Sequence, residues 1–178
     1  MGQDTLPKEN TGRDTVDAIV AQWRTERPDV DPSAKEVTGR IIRLASLFQA
    51  AYAKEFRPLG LSEGSYGVLV ALRRSGSPFE LAPGALARQR MMSSGGLTLL
   101  VDRLEREGLV QRSPNPDDRR GSLVRLTKAG RKLVDKAMER HAAAEQALVT
   151  GLSGKERDEL AGALRTLLRS LEDPPPAT

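Results

Sequence analysis

Four apolar positions, Val16, Ile19, Val20 and Trp23, recur at i, i+3, i+4 and i+7 and predict a short amphipathic helix that Pro28 ends. Asp31 then stands as an N-cap with Pro32 at the first helical position. The segment 33–57 that follows is apolar nearly all round, through Ile41, Ile42, Leu44, Ala45, Leu47, Phe48, Ala51 and Tyr52. A helix of that kind is covered on more than one side. In a chain of 178 residues the second cover is expected from another subunit. Pro58 and Gly60 break the helix. Ser62 is the next N-cap, flanked by Leu61 and Tyr66 at hydrophobic-staple spacing, and its helix carries Val68, Leu69 and Leu72 to a turn at 75–78.

A short extended piece over 79–82 leads to Pro83 and a brief helix with Leu86 and Ala87. After a turn at 91–94, Leu97, Leu100, Val101 and Leu104 again mark one helix face, closed by Gly108. Two β-prone runs, 109–112 and 122–126, flank a proline-rich charged tip over 113–121, which reads as a hairpin or wing. Thr127 caps a long helix with Leu133, Val134, Ala137, Met138 and Leu148, ending near Gly151. Ser153 and Glu156 then have capping-box spacing ahead of a stripe made by Leu160, Ala163, Leu164, Leu167, Leu168 and Leu171. The prolines 174–176 close the ordered part, so 173–178 is expected to be a disordered tail.

The fold class predicted is mainly α with a small β-wing, a winged helix-turn-helix that forms a homodimer through its N- and C-terminal helices. Its parts are a tail and extra helix (1–32), dimerisation helices (33–57 and 127–172) and a lobe built around the two short helices and the wing (58–126).

Composition narrows the chemistry. There is no cysteine and a single histidine, His141, which leaves no disulfide, thiolate nucleophile or multi-histidine metal site. Neither a nucleophile–base pair nor a phosphate loop is present. Ser94-Gly95-Gly96 lacks the Gly-Lys-Ser/Thr that such a loop needs, so no enzyme, cofactor or metal is expected. No apolar run approaches the roughly 18–20 residues that span a bilayer. The first residues lack the basic-then-apolar pattern of a secretory leader, and the expected location is cytoplasmic. Charge is uneven: residues 83–132 carry 11 basic and 5 acidic side chains, whereas both ends of the chain are net acidic. That block coincides with the helix-turn-helix and wing, as a phosphate-facing surface requires.

An α-helix fits the major groove, where base edges carry distinct donors and acceptors, so its outward face must be polar while its inward face packs. Ser93, Ser94, Thr98 and Arg103 lie off the Leu97–Leu104 stripe and meet that demand. The wing arginines Arg119 and Arg120 are placed to reach the adjacent minor groove, whose negative potential attracts arginine. Arg112, beside the same hairpin, joins this candidate set.

The stretch from Leu81 to Val134 resembles the DNA-binding core of the MarR (multiple antibiotic resistance regulator) family. Two elements carry the resemblance, in order and at the family's spacing. One is Leu104-Glu-Arg-Glu-Gly-Leu109. The other is Asp117-Asp-Arg119-Arg-Gly121 followed by Val124-Arg-Leu126-Thr-Lys-Ala-Gly130. The resemblance spans about residues 33–172. It implies that Ser93, Ser94, Thr98 and Arg103 lie on the recognition helix and that Arg119 enters the minor groove, held by Asp117. It also implies that helices 33–57 and 153–172 interlock in a two-fold dimer on a pseudo-palindromic operator of double-stranded DNA. Where close relatives carry a basic pair, this chain has Leu99 and Leu100. A repressor released by a small anionic or phenolic ligand is the function implied. The extra helix with Trp23 resembles the urate-responsive subgroup, and Trp23 and Arg74 match its ligand residues. Gly67 and Leu100 stand where that subgroup has an aspartate and an arginine, so an unidentified ligand is expected. On the residues alone Trp23 reads first as core, Arg74 as solvated or paired, and His141 as packed. The competing function is a dimeric winged-helix module that binds protein rather than DNA, which a steep salt dependence of duplex affinity would reject.

Overall fold

The computed structural model describes residues 12–90, 93–116 and 118–172. The chain divides into two compact units, one ending at Ala50 and the other beginning at Ala51.

The first unit holds α1 (Thr15–Glu26) and most of α2 (Lys35–Phe56). Asp14 caps α1, its carboxylate accepting from the N–H groups of Val16 and Asp17 at 2.8 and 3.1 Å. The Asp17 carboxylate returns the bond to the Asp14 N–H at 2.8 Å. Of the predicted stripe only Val16 and Val20 are buried; Ile19 is exposed, and Trp23, expected in the core, is 43 % exposed. Lys35 Nζ lies 5.9 Å from the Trp23 ring centroid. The two helices meet where Gly39 has no side chain, since a β-carbon there would sit 3.1 Å from Val16 Cγ1. Arg40 reaches back from α2 to Asp14 at 2.8 Å and Asp17 at 2.7 Å.

The start of α2 differs from the prediction. The Asp31 carboxylate accepts from the Ser33 N–H at 2.9 Å and the Ser33 hydroxyl at 2.8 Å, capping a turn rather than the helix itself. Lys35 N–H to Pro32 O and Glu36 N–H to Ser33 O close tight i→i+3 rings before the regular helix begins. Ile42, Leu44 and Leu47 of α2 stay exposed in the single chain.

The second unit runs through α3 (Glu63–Arg74), β1 (Glu80–Leu81), α4 (Pro83–Arg90), α5 (Ser94–Arg106), β2 (Val110–Asn115), β3 (Asp118–Leu126), α6 (Lys128–Leu148) and α7 (Gly154–Glu172). Ser62 caps α3 as predicted, its hydroxyl accepting from the Ser65 N–H at 3.1 Å. Val68, Leu69 and Leu72 of α3 are fully buried and share one core with Phe56, Leu86, Leu97, Leu104, Val124 and Val134. That core fixes α5 against α3.

The sheet is antiparallel in the order β1-β3-β2, and Glu80, opposite Arg125, is ion-paired to it at 2.6 Å. The hairpin strands are longer than the sequence pattern indicated. The predicted loop over 113–121 shrinks, because β2 continues to Asn115 and β3 starts at Asp118, with a register irregularity between Pro114 and Asn115. Pro114 fits inside a strand because β2 lies at the sheet edge, where a missing N–H need not cost a ladder bond. Thr127, directly after β3, caps α6, accepting from the Gly130 N–H at 3.0 Å and donating to Gly108 O at 2.7 Å.

The capping box that opens α7 is formed, with Glu156 N–H to Ser153 Oγ at 3.3 Å and Ser153 N–H to the Glu156 carboxylate at 2.8 Å. No residue of α7 is buried, and Leu160, Leu164, Leu167, Leu168 and Leu171 all face solvent in the single chain. Among the described residues no helix is long and apolar enough to cross a membrane. The predicted tail 173–178 lies outside the described residues.

Candidate nucleic-acid interface

The inward face of α5 is set by Leu97, Val101 and Leu104, all buried. Leu100 is half-buried and packs where α3 is thin, because a β-carbon on Gly64 would meet Leu100 Cδ1 at 3.2 Å. That contact uses Leu100 for packing, so it is no ligand-facing or phosphate-facing group. The outward face of α5 carries Gly95, Thr98, Leu99, Arg103 and Arg106, all exposed.

Ser93 is the N-cap of α5, its hydroxyl accepting from the Gly96 N–H at 3.2 Å. It therefore has a structural task of its own at the start of α5. Arg103 Nε donates to Glu107 at 2.8 Å one turn on. Asp117 and the side chains of Ser94, Arg119 and Arg120 lie outside the described residues.

Arg112 joins two elements. From β2 its guanidinium pairs with Asp102 through one terminal nitrogen and with Glu105 through the other. Its backbone N–H donates to the Glu105 carboxylate at 2.9 Å. Asp102 is the chief cause that holds the guanidinium above its ordinary pKa, with Glu105 adding to it. Two consequences follow. The wing is fastened to α5 by one side chain, and the two carboxylates nearest the outward face of that helix share one positive charge. With Glu107 answered by Arg103, each acidic side chain of this helix and its cap has a basic partner. Such pairing lessens the repulsion that an unanswered carboxylate exerts on a phosphate.

The Asp102–Arg112–Glu105 clamp was not read from the sequence. Its signal was present: two acids at i, i+3 on one helix face, and a basic residue one turn beyond the terminating glycine. Gly121 supplies a second local fit at the wing, where a β-carbon would come within 2.8 Å of Asp118 Oδ2. Leu99 lies off the inward stripe of Leu97, Leu100, Val101 and Leu104, as the helical period requires, and is exposed.

The residues considered for a ligand fall in different units. Trp23 belongs to the first and Arg74 to the second. Arg74 donates to Gln89 Oε1 at 3.4 Å, while Gly67 is buried within α3. His141 stacks among Tyr52, Phe56 and Tyr66, with ring centroids at 4.4, 5.7 and 5.2 Å, and its Nδ1 lies 3.3 Å from Glu145. This agrees with a packed histidine. Phe79 takes a left-handed φ of 63° with the guanidinium carbons of Arg73 and Arg131 at 5.0 and 4.8 Å from its ring centroid.

Comparison with known proteins adds an independent line. The family model described as MarR family matches residues 59–121, the stretch from just after α2 into β3. The HTH-type transcriptional regulator PecS of Dickeya dadantii (strain 3937) is 34 % identical over 149 residues, covering 84 % of this chain and 90 % of its own. Among solved structures, a cysteine-to-serine mutant of MarR from E. coli complexed with operator DNA superposes with a TM-score of 0.68 at 27 % identity. It covers 78 % of this chain and 99 % of its own. AbsC, a MarR family regulator from Streptomyces coelicolor, has the same fold with a TM-score of 0.72 at 24 % identity, over 80 % of this chain and 97 % of its own.

Proposed function

The chain belongs to the MarR family of transcriptional regulators, and from that premise we propose that it is a homodimeric repressor that a small anionic or phenolic ligand releases from a pseudo-palindromic operator. One observation carries the DNA-binding part: the acids along α5 are paired by Arg112 and Arg103, in the most basic stretch of the chain. Thr98 and Arg103 on α5, with Ser94 at its start, read base edges or phosphates. Ser93 orders the N-terminus of that helix. Arg119 and Arg120 enter the minor groove from the wing, with Asp117 as positioning partner, and Arg112 keeps wing and helix in register. Two copies related by a two-fold axis present two recognition helices about one DNA turn apart.

The exposed leucines of α7 and the exposed apolar side chains of α2 support dimerisation through the terminal helices, since bare apolar faces of that size are usually covered. The ligand acts by favouring a dimer whose half-site spacing does not match the operator, and the shift equals its differential affinity for the two states. Trp23 and Arg74 are the ligand residues in this reading. Gly67 and Leu100 leave out the acidic and basic groups of the urate type, which favours a different ligand.

Titration of the chain's own upstream duplex against salt tests the core of this reading. Affinity should fall steeply with salt, and Arg119→Ala should weaken binding about ten-fold and reduce the log–log salt slope by about one. Salt-independent binding, equal for any duplex, would instead favour a protein-binding winged helix.

A further inference from the structure

Leu99 is 72 % exposed, the highest exposure of any large apolar side chain among the described residues. Between Leu47 and Met138 along the chain, no other large apolar side chain among the described residues is exposed to that class. It projects from the middle of the outward face of α5. One turn before it stands Gly95, where a β-carbon would meet nothing within 4 Å. Asp102 and Arg103, one turn after it, are turned to Arg112 and Glu107. The outward face thus offers a slim first turn, then Thr98 and one apolar knob, then Arg103 paired to Glu107.

Resting on the DNA-binding reading above, we infer that Leu99 is a specificity-determining residue that packs on the C5-methyl group of a thymine in each half-site. A leucine side chain neither donates nor accepts a hydrogen bond, so it gains nothing from the polar edges of guanine, cytosine or adenine. The thymine methyl is the apolar group that base edges expose in the major groove. Leu100, its neighbour, is turned inward against α3 and takes no part. The exposed leucine is therefore a reading group in its own right, in addition to marking the loss of a basic side chain at that position.

The test uses the full-length protein and the duplex it protects, with each thymine replaced in turn by deoxyuridine, which removes one methyl and leaves every hydrogen-bonding group in place. Affinity is read by fluorescence anisotropy at fixed salt. At one thymine per half-site the wild type should lose about four-fold, the affinity equivalent of one buried methylene group. Leu99→Ala should bind the unmodified duplex more weakly, keep the same salt slope, and show no further loss on that uridine substitution. Wild-type binding unchanged by every uridine, or an equal uridine loss in wild type and Leu99→Ala, would overturn the assignment while leaving DNA binding in place. A protein that does not distinguish its duplex from a scrambled one overturns both this inference and the reading beneath it.

Discussion

A β-carbon on Gly130 would lie 1.9 Å from the carbonyl oxygen of Leu109. The first turn of α6 is thus pressed against the residue that opens the wing. The same carbonyl accepts from the Thr127 N–H at 3.1 Å, and the Thr127 hydroxyl donates to Gly108 O at 2.7 Å. Recognition helix, wing and long helix meet at this joint through backbone atoms, which cannot swing aside as a side chain can. Gly130→Ala should therefore destabilise the second unit by about 3 kcal/mol, the upper end of the overpacking range. The check is a lowered midpoint in urea with an unchanged m-value. A midpoint equal to wild type would mean the joint opens freely.

Arg112 is expected to matter for DNA binding through the acids it silences. Arg112→Ala leaves Asp102 and Glu105 unanswered beside α5 and loosens the wing, so duplex affinity should fall about ten-fold. Adding Asp102→Asn to that variant should recover part of the loss, since one of the two exposed charges is then removed. If the double variant binds no better than Arg112→Ala alone, wing positioning accounts for the whole effect.

Removing α7 should separate dimerisation from folding. No residue of α7 is buried in the single chain. A protein truncated after Gly151 should keep its cooperative thermal transition while sedimenting as a monomer. A truncated protein that remains dimeric would place the interface elsewhere.

The first unit has its own acid dependence. The Arg40 guanidinium is the chief cause holding Asp14 below its ordinary 3.8, whereas Asp17 is lowered first by the Asp14 N–H and then by Arg40. A carboxylate with a depressed folded pKa lends stability that is complete above its unfolded value and is lost as pH falls through the folded one. Helix α1 should thus stay in place from about pH 8 to about pH 5 and loosen only below about pH 4. Emission from Trp23, the single tryptophan of the chain, reports it. The signal should be flat above about pH 5 and change below about pH 4. A transition centred near neutrality would assign control to a different group.

Local rules made much of the fold legible. The caps at Ser62, Thr127 and Ser153 are formed where hydroxyl spacing put them, and the periodic stripes of α3 and α5 point inward as their 3.6-residue repeat requires, whereas in α6 Val134 and Ala137 are buried and Met138 of the same predicted stripe is exposed. The hairpin strands were less legible because Pro114 and Pro116 interrupt the alternation that marks a strand. Only the position of β2 at an edge makes that proline acceptable. Trp23 belongs to a stripe whose period is correct, yet α2 covers only the Val16–Val20 side of it.

By itself the sequence determined the order of helices, the wing and the concentration of positive charge, because caps, periods and turn residues act over three or four positions of chain. The tertiary structure decided which charges remain available and which apolar groups are left bare. Asp102 and Arg112 are ten residues apart, and Leu109 and Gly130 are twenty-one apart. Those relationships depend on how separate elements pack, so spacing along the chain does not settle them.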